Sequence, residues 1–480
     1  MGLGETRVNV GVIGGGVLGL SLAHFLQRRG HRVDVFERND FLGGLACSYD
    51  YGEFTWDKFY HVILAQDTEL LGLLDELGLR AELRWRPTGT GLFTKGRMYS
   101  MSSTREMLAF PLLSWPDKLR MGAATLYALR FARREDLYRL TAAEWLSRVF
   151  GRSNYEVLWR PLLRAKFGSY ADRIAAIAIH AAIQRLFGAR TGASKHEAMG
   201  YVHGGYYRIL RAFREKLETT GGSIRLGVTI SRIGVEGDFA FEPVGAMSRA
   251  AHGVAAEARA VRTVPVDAEA GCGVEFRTPG SPTELRWYDK VVFTAPMRAA
   301  LPVAGPFVRD AIERARNDSG DPSYLGVVCL ALVLKRPLTP FYIVNVADEQ
   351  IPVTGLIEMT GLVDRSEETA GRALVYLPRY VDSQDPLLAA DDASVYREFV
   401  ERGLRRIFPG LSDADIVSWH VQRAAYVQPL RLAGSAAPPP GNLMPHTDGP
   451  FILANTSLLA CPTLNNNEVV GLARQVASRI

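Results

Sequence analysis

Apolar positions along the 480-residue chain fall into a few repeating patterns. Val8, Val10, Val12 and Ile13 read as an apolar strand, a helical stretch runs on to Gln27, and His31 to Phe36 reads as a second strand. Residues 63 to 197 carry a period of about 3.6 with turns at Gly78, Gly151, Gly168 and Gly188, which predicts mostly helices. Tyr207, Leu210, Phe213 and Leu217 mark an amphipathic helix, and Ile224 to Ile230 reads as a strand. Residues 324 to 380 change character: Tyr324–Leu334, Phe341–Val346, Gly355–Thr360 and Ala373–Leu377 alternate or are continuously apolar, which predicts strands. Asp289 to Pro296 and Phe451 to Asn455 read as strands, and Asn467 to Ser478 as a closing helix. Residues 236 to 283, Ala- and Gly-rich with scattered charge, read as a surface excursion, and Ser435 to Gly441 as a proline-rich loop. No internal repeat is visible.

Between the first strand and helix stands Gly14-Gly15-Gly16-Val17-Leu18-Gly19, a G-x-G-x-x-G, and the second strand ends in Glu37. Each position has a physical reason in a dinucleotide-binding βαβ unit. Gly14 permits the tight turn, Gly16 lets a pyrophosphate approach the backbone, and Gly19 lets the helix pack on the strand. The helix start at Val17-Leu18 offers free N–H groups and a positive dipole end to that pyrophosphate. Glu37 and the following Arg38 lie where a carboxylate accepts from ribose hydroxyls. Gly43-Gly44 follows, and here the chain resembles the flavin amine oxidase and protoporphyrinogen oxidase-like superfamily of FAD-dependent oxidoreductases.

That resemblance covers nearly the whole chain. It implies an α/β fold: a Rossmann-type FAD-binding domain built from residues 1–62, 198–300 and 440–480, interleaved with an α+β substrate domain from 63–197 and 301–439. The substrate domain should be an antiparallel sheet plus helices. It implies FAD as cofactor, held by Gly14, Gly16, Gly19, Glu37, Gly43 and Gly44, by backbone near Val228 and Ala295, and by Asn455. Many relatives have Arg after the Gly-Gly as a pyrophosphate contact; this chain has Leu45, so that contact must come from elsewhere. Relatives usually have Gly-Asp where this chain has Ala454-Asn455, so the contact there lacks charge.

Composition narrows the classes. The hydrophobic fraction is 47% and the charged fraction 22%, as in a globular enzyme. A net charge of +5 with no basic run excludes a nucleic-acid footprint. Cys47, Cys272, Cys329 and Cys461 have no metal-ligand spacing, so no metal site is expected. Free thiols and the lack of a signal-like start suggest the cytoplasm. Cys461 lies beyond the Asn455 turn, which argues against a covalent flavin link. No apolar run approaches the roughly 18 residues of a spanning helix. Met107 to Arg134 mixes Leu, Phe and Trp with Arg: it fits helices capping a substrate pocket, the preferred reading, or contact with a membrane surface.

Because flavin carries the redox chemistry, catalytic residues are hard to read from sequence. His61, in Trp56-Asp57-Lys58-Phe59-Tyr60-His61, is the first candidate, since in relatives this segment passes the flavin ring. Arg160, Arg164 and Lys166 form a second group, three cations in seven residues suited to a substrate phosphate or carboxylate. Glu358 with Thr360 is the third, an acid on an apolar strand. Tyr342, Asn345 and Tyr426 complete the substrate-side candidates, and His180 reads as a core residue.

The function implied is removal of a hydride from a C–N or C–C bond of a small-molecule substrate, with oxygen or another acceptor taking the electrons. Three alternatives stay open: a redox-neutral nucleotide-sugar mutase-like enzyme, a non-catalytic flavin-binding partner protein, and a membrane-associated isoprenoid desaturase, the last resting on Met107 to Arg134.

Overall fold

The computed structural model describes residues 7–188, 198–239, 262–264, 271–319, 323–435, 449–459 and 465–480. Its first sheet is parallel and five-stranded, in the order Phe451–Leu453, Lys290–Phe293, Asn9–Ile13, Arg32–Phe36, Ser223–Arg225. Central strands of this kind are buried on both faces, which is why they read as continuous apolar runs. The helix Val17–Arg28 packs on this sheet with the closing helix Asn466–Ala477 and the helix Gly205–Thr219.

The second sheet has seven strands, ordered Ile416–Pro429, Tyr324–Leu334, Ala373–Asp382, Gly355–Glu358, Ile343–Val346, Thr90–Thr94, Arg97–Ser100. All neighbours are antiparallel except Ile343–Val346 with Thr90–Thr94. Tyr324–Leu334 is buried at all 11 positions because both faces are covered. Val327, Cys329, Ala331 and Val333 face a cluster holding Tyr51, Trp56 and Tyr201. Val328, Leu330, Leu332 and Leu334 face the opposite cluster, closed by Phe399, Val400 and Leu404. Helices between Thr104 and Gly188 form a separate cap with its own core around Tyr138, Leu146, Phe150 and Ile174.

The structure differs from the sequence reading at identifiable points. The expected strand Ile224–Ile230 is broken at Gly227, whose φ of +66° turns the chain out of the parallel sheet and into a second, four-stranded one. That second sheet also takes Cys272–Arg277, so part of the expected surface excursion is a packed antiparallel layer. In the helix Gly205–Thr219, Tyr206 is the buried aromatic and Tyr207 is exposed. The helix Thr68–Glu76 packs in the core of the parallel sheet, although residues 63–197 read as part of the substrate unit. The proline-rich loop from 436 onward and Cys461 lie outside the described residues.

Candidate active site

The carboxyl end of the parallel sheet carries the glycine turn. Gly14 has φ of +114° and its N–H bonds to the Phe36 carbonyl at 2.8 Å, which locks the turn onto the second strand. A Cβ on Gly19 would lie 1.9 Å from the Gly14 carbonyl oxygen, so the helix approaches the strand as closely as only glycine allows. A Cβ on Gly16 meets nothing within 4 Å, so the turn leaves an open cradle there. Gly43 closes the other side, its N–H bonding to the Gly15 carbonyl at 2.8 Å.

Glu37 is buried at the end of its strand, with Arg38 beside it exposed to solvent. One Glu37 carboxylate oxygen accepts from the Gly15 N–H at 2.8 Å, the other from the Asn39 backbone and side chain, each at 2.8 Å. A carboxylate has about four acceptor positions; three are taken, which leaves one for a ribose hydroxyl. Val228 is buried against this site and its N–H bonds to the Glu37 carbonyl. Ala295 follows Thr294, whose hydroxyl bonds to the Ile13 carbonyl at 2.9 Å. Asn455 is 1% exposed: its Oδ1 caps the next turn through Ser457 N–H and Oγ–H, while its Nδ2 has no partner in the protein. An orphaned buried donor costs on the order of 1–3 kcal/mol, and a bound acceptor at this sheet end removes that cost. These features fit FAD.

Arg431, which sequence reasoning missed, is held on the turn that follows Asn455. Its guanidinium bonds to the Ser457 and Leu459 carbonyls at 2.6 and 3.2 Å, and no carboxylate pairs with it among the described residues. Burial lowers its pKa from the ordinary arginine value. Leu45 stands where relatives carry an arginine, and Arg431 is a desolvated cation just beyond the strand Ile416–Pro429. Its sequence signal is faint, because it follows a strand whose alternation is masked by polar residues.

Asp57 joins the flavin unit to the seven-stranded sheet. Its Oδ1 accepts the Tyr206 N–H at 2.8 Å, and its carbonyl accepts the Tyr376 hydroxyl at 2.5 Å. His61 packs on the Tyr206 ring at 4.8 Å between centroids. Its Nδ1 lies 2.9 Å from the Phe59 carbonyl, a pure acceptor, so Nδ1 carries a proton, and the Asp57 carboxylate lies 3.7 Å from the same nitrogen. The Tyr60 and Tyr380 hydroxyls bond at 2.7 Å, and burial, with Tyr380 close by, holds the Tyr60 phenol well above its ordinary pKa. Lys166 Nζ sits 5.7 Å from the Tyr380 ring and 5.8 Å from Phe167. No acid pairs with it among the described residues, and burial lowers its pKa.

The other sequence candidates lie elsewhere. Arg160 pairs with Glu156 and Arg164 with Glu349 at 3.1 Å, all four largely exposed. Arg164 and Glu349 line a surface cavity of about 380 Å³ with Asp382 and Asp385. Tyr342 is buried in the inner cluster with Tyr376, and Asn345 pairs with Gly355 in the sheet. Glu358 points the other way, beside Val375 in register. Its carboxylate accepts from the Leu338 N–H at 2.9 Å and the Thr360 hydroxyl at 2.5 Å, so Thr360 is engaged there too. Tyr426 is 40% exposed at the sheet edge against Tyr324. His180 is buried, its Nε2 on the Ala128 carbonyl at 2.8 Å. The structure thus puts Tyr342 on the inner face, Lys166 beside Tyr380 of that face and His61 on Tyr206 of the flavin unit, and leaves Arg160, Arg164, Glu358, Thr360 and Tyr426 off the inner face.

A parallel βαβ sheet with a glycine cradle, a ribose carboxylate and a second, tyrosine-lined sheet defines an FAD-dependent oxidoreductase fold. The family described as flavin containing amine oxidoreductase matches residues 19–457, and the chain belongs to it. The cofactor is FAD. The chain is 25% identical over 286 residues to the 15-cis-phytoene desaturase of Synechococcus elongatus, covering 54% of this chain and 58% of that one. The chain thus spans little more than half the length of that curated relative. Among solved structures, an oxidoreductase from Methanosarcina mazei superposes with a TM-score of 0.66 at 17% identity, covering 98% of this chain and 99% of that one. A reduced UDP-galactopyranose mutase superposes at 0.67 and 15% identity, covering 98% and 95%.

Proposed function

We propose that this protein oxidises a C–N or C–C bond of a small molecule held between the flavin cradle and the tyrosine-lined face of the seven-stranded sheet. FAD, when bound, supplies the hydride acceptor. Tyr60, Tyr342, Tyr376 and Tyr380 give the substrate a flat, largely apolar wall. Loss of a hydride leaves a proton to be removed, and two groups stand ready for it. His61 has its Nδ1 occupied by the Phe59 carbonyl, which leaves Nε2 as the nitrogen that can exchange a proton, and Lys166 is an amine whose pKa burial has lowered. We assign Lys166 the larger role because no acid fixes its charge.

The observation that carries this reading is the direction of the cations. A redox-neutral sugar-diphosphate mutase needs paired cations at the flavin. Here Arg160 and Arg164 pair with Glu156 and Glu349 on the outside, and the inner face holds an amine among aromatic rings. The experiment is anaerobic addition of candidate amines and apolar biosynthetic substrates to the FAD-loaded protein, followed by flavin absorbance. Bleaching by one class supports the reading. Turnover of a nucleotide sugar only after chemical reduction of the flavin would replace it with the mutase, and tight FAD with neither response would favour the non-catalytic partner.

A further inference from the structure

Six of the twelve exposed large apolar side chains among the described residues fall within one short stretch: Leu108, Trp115, Leu119, Leu126, Tyr127 and Phe131. Most belong to the helix Trp115–Arg130 or its end. The sequence favoured this segment as a cap buried over a pocket. In the structure Met121, Ala124 and Ala128 are its buried residues. At 100° per residue, Trp115, Leu119 and Leu126 fall within about 40° of one another on the opposite side. Leu119 is 70% exposed, Phe131 68% and Trp115 64%. Gly122 and Ala123 between them are exposed as well, so the ridge is continuous.

Charge around the ridge has one sign. Residues 105–134 hold six cations (Arg105, Lys118, Arg120, Arg130, Arg133, Arg134) against two acids (Glu106, Asp117), a net +4. Both acids are engaged at helix starts, Glu106 in a capping box with Ser103 and Asp117 with Ser114 and Ser153. Glu135 and Asp136 come only with the next helix. Lys118 lies 5.0 Å from the Trp115 ring, which sets an aromatic and a cation side by side at one end of the ridge.

We propose that this ridge docks on the surface of an anionic lipid bilayer, with Trp115, Leu119 and Leu126 entering the headgroup region. Apolar tips on a convex helix flanked by arginines match an interface in which acyl chains lie beneath phosphates. A second copy of the chain fits less well. A two-fold contact over this ridge brings two surfaces of net +4 together. No described helix is long and apolar enough to cross a membrane, so the contact is a surface one.

The test is co-sedimentation of the FAD-loaded full chain with phosphatidylglycerol–phosphatidylcholine vesicles and with phosphatidylcholine vesicles alone. Binding should favour the anionic vesicles and weaken as salt is raised. Leu119→Glu/Leu126→Glu should lower the bound fraction at least about tenfold while the flavin spectrum and melting temperature stay unchanged, since both positions are exposed. Arg130→Glu/Arg133→Glu should remove the preference for anionic lipid. Failure of the holoprotein to bind at low salt overturns the proposal, as does equal binding by the leucine variant. A dimer seen by sedimentation and broken by the leucine variant, without vesicle binding, assigns the ridge to a second copy and also overturns it.

Discussion

Replacing Glu358 with Gln separates two roles that its sequence context allowed. The side chain is fully buried, and burial pushes its carboxyl up from 4.5 to about 7 against the opposing hydrogen bonds from Thr360 and Leu338. The folded protein therefore holds this proton more tightly than the unfolded chain does. Stability from that proton is complete below about pH 4.5 and is lost as pH rises towards 7. At 1.36 kcal/mol per pH unit, the ionised buried carboxylate costs about 3 kcal/mol above that window. Gln keeps the geometry: its oxygen accepts from Leu338 and its amide donates to the Thr360 oxygen. Glu358→Gln should thus stabilise the FAD-saturated protein by under about 1 kcal/mol at pH 5 and by about 3 kcal/mol at pH 8. Equilibrium urea unfolding at the two pH values measures the difference, and flavin reduction by substrate should be unchanged. An equal effect at both pH values would refute the burial argument. A collapse of the reduction rate without any stability change would place Glu358 at the substrate instead.

Three further outcomes are expected. Glu37→Ala removes an acceptor for the ribose, and a hydrogen bond to a charged group is worth roughly 1.5–3 kcal/mol; FAD affinity by fluorescence titration should fall about ten- to a hundredfold. Lys166→Met should slow flavin reduction by roughly 10²–10⁴ while the resting spectrum persists; the wild-type rate should rise with pH through a value below the ordinary lysine range, and the variant should lose that limb. Arg431→Met removes a buried cation held on the Ser457 and Leu459 carbonyls, in the turn after Asn455; bound FAD should become harder to reduce, by roughly 30 mV, equivalent to about 1.4 kcal/mol for a two-electron couple. Dye-coupled potentiometry reads that shift, and an unmoved potential with unmoved FAD affinity would remove Arg431 from the site.

The flavin unit was legible because backbone geometry dictates its residues. A Cβ at Gly19 has no room and Glu37 must close a strand, so the motif states the structure. The long inner strands were legible too, since burial on both faces leaves no polar alternation to confuse. What escaped is short or edge-like. Arg97–Ser100 is four residues, and Ile416–Pro429 runs along a sheet edge where Ser418, His420 and Gln422 point inward and Val417 and Trp419 outward, which inverts the usual alternation. Arg431 was hidden behind that edge strand. Tyr60 and Tyr380 are 320 positions apart in the chain, so their hydroxyl pair leaves no local signal. Glu358 was correctly seen as an acid sharing a face with Leu356, but which face met the flavin depended on the partner strands.

The cation group shows how far helical geometry reaches towards function. Arg160 and Arg164 are one turn apart and share a side; Lys166, two residues on, is turned by about 200° from Arg164. One short helix therefore cannot aim all three at a single diphosphate. The helix Arg160–Phe167 resolves this by facing its arginines to Glu156 and Glu349 and its lysine to Tyr380. An arginine stays charged wherever it lies, whereas a buried lysine has its pKa lowered and becomes able to accept a proton. Had the inward residue been arginine, the same fold would offer the flavin a fixed charge for an anion. With lysine there, it offers an amine, which under the function proposed above takes the proton left behind when a hydride leaves.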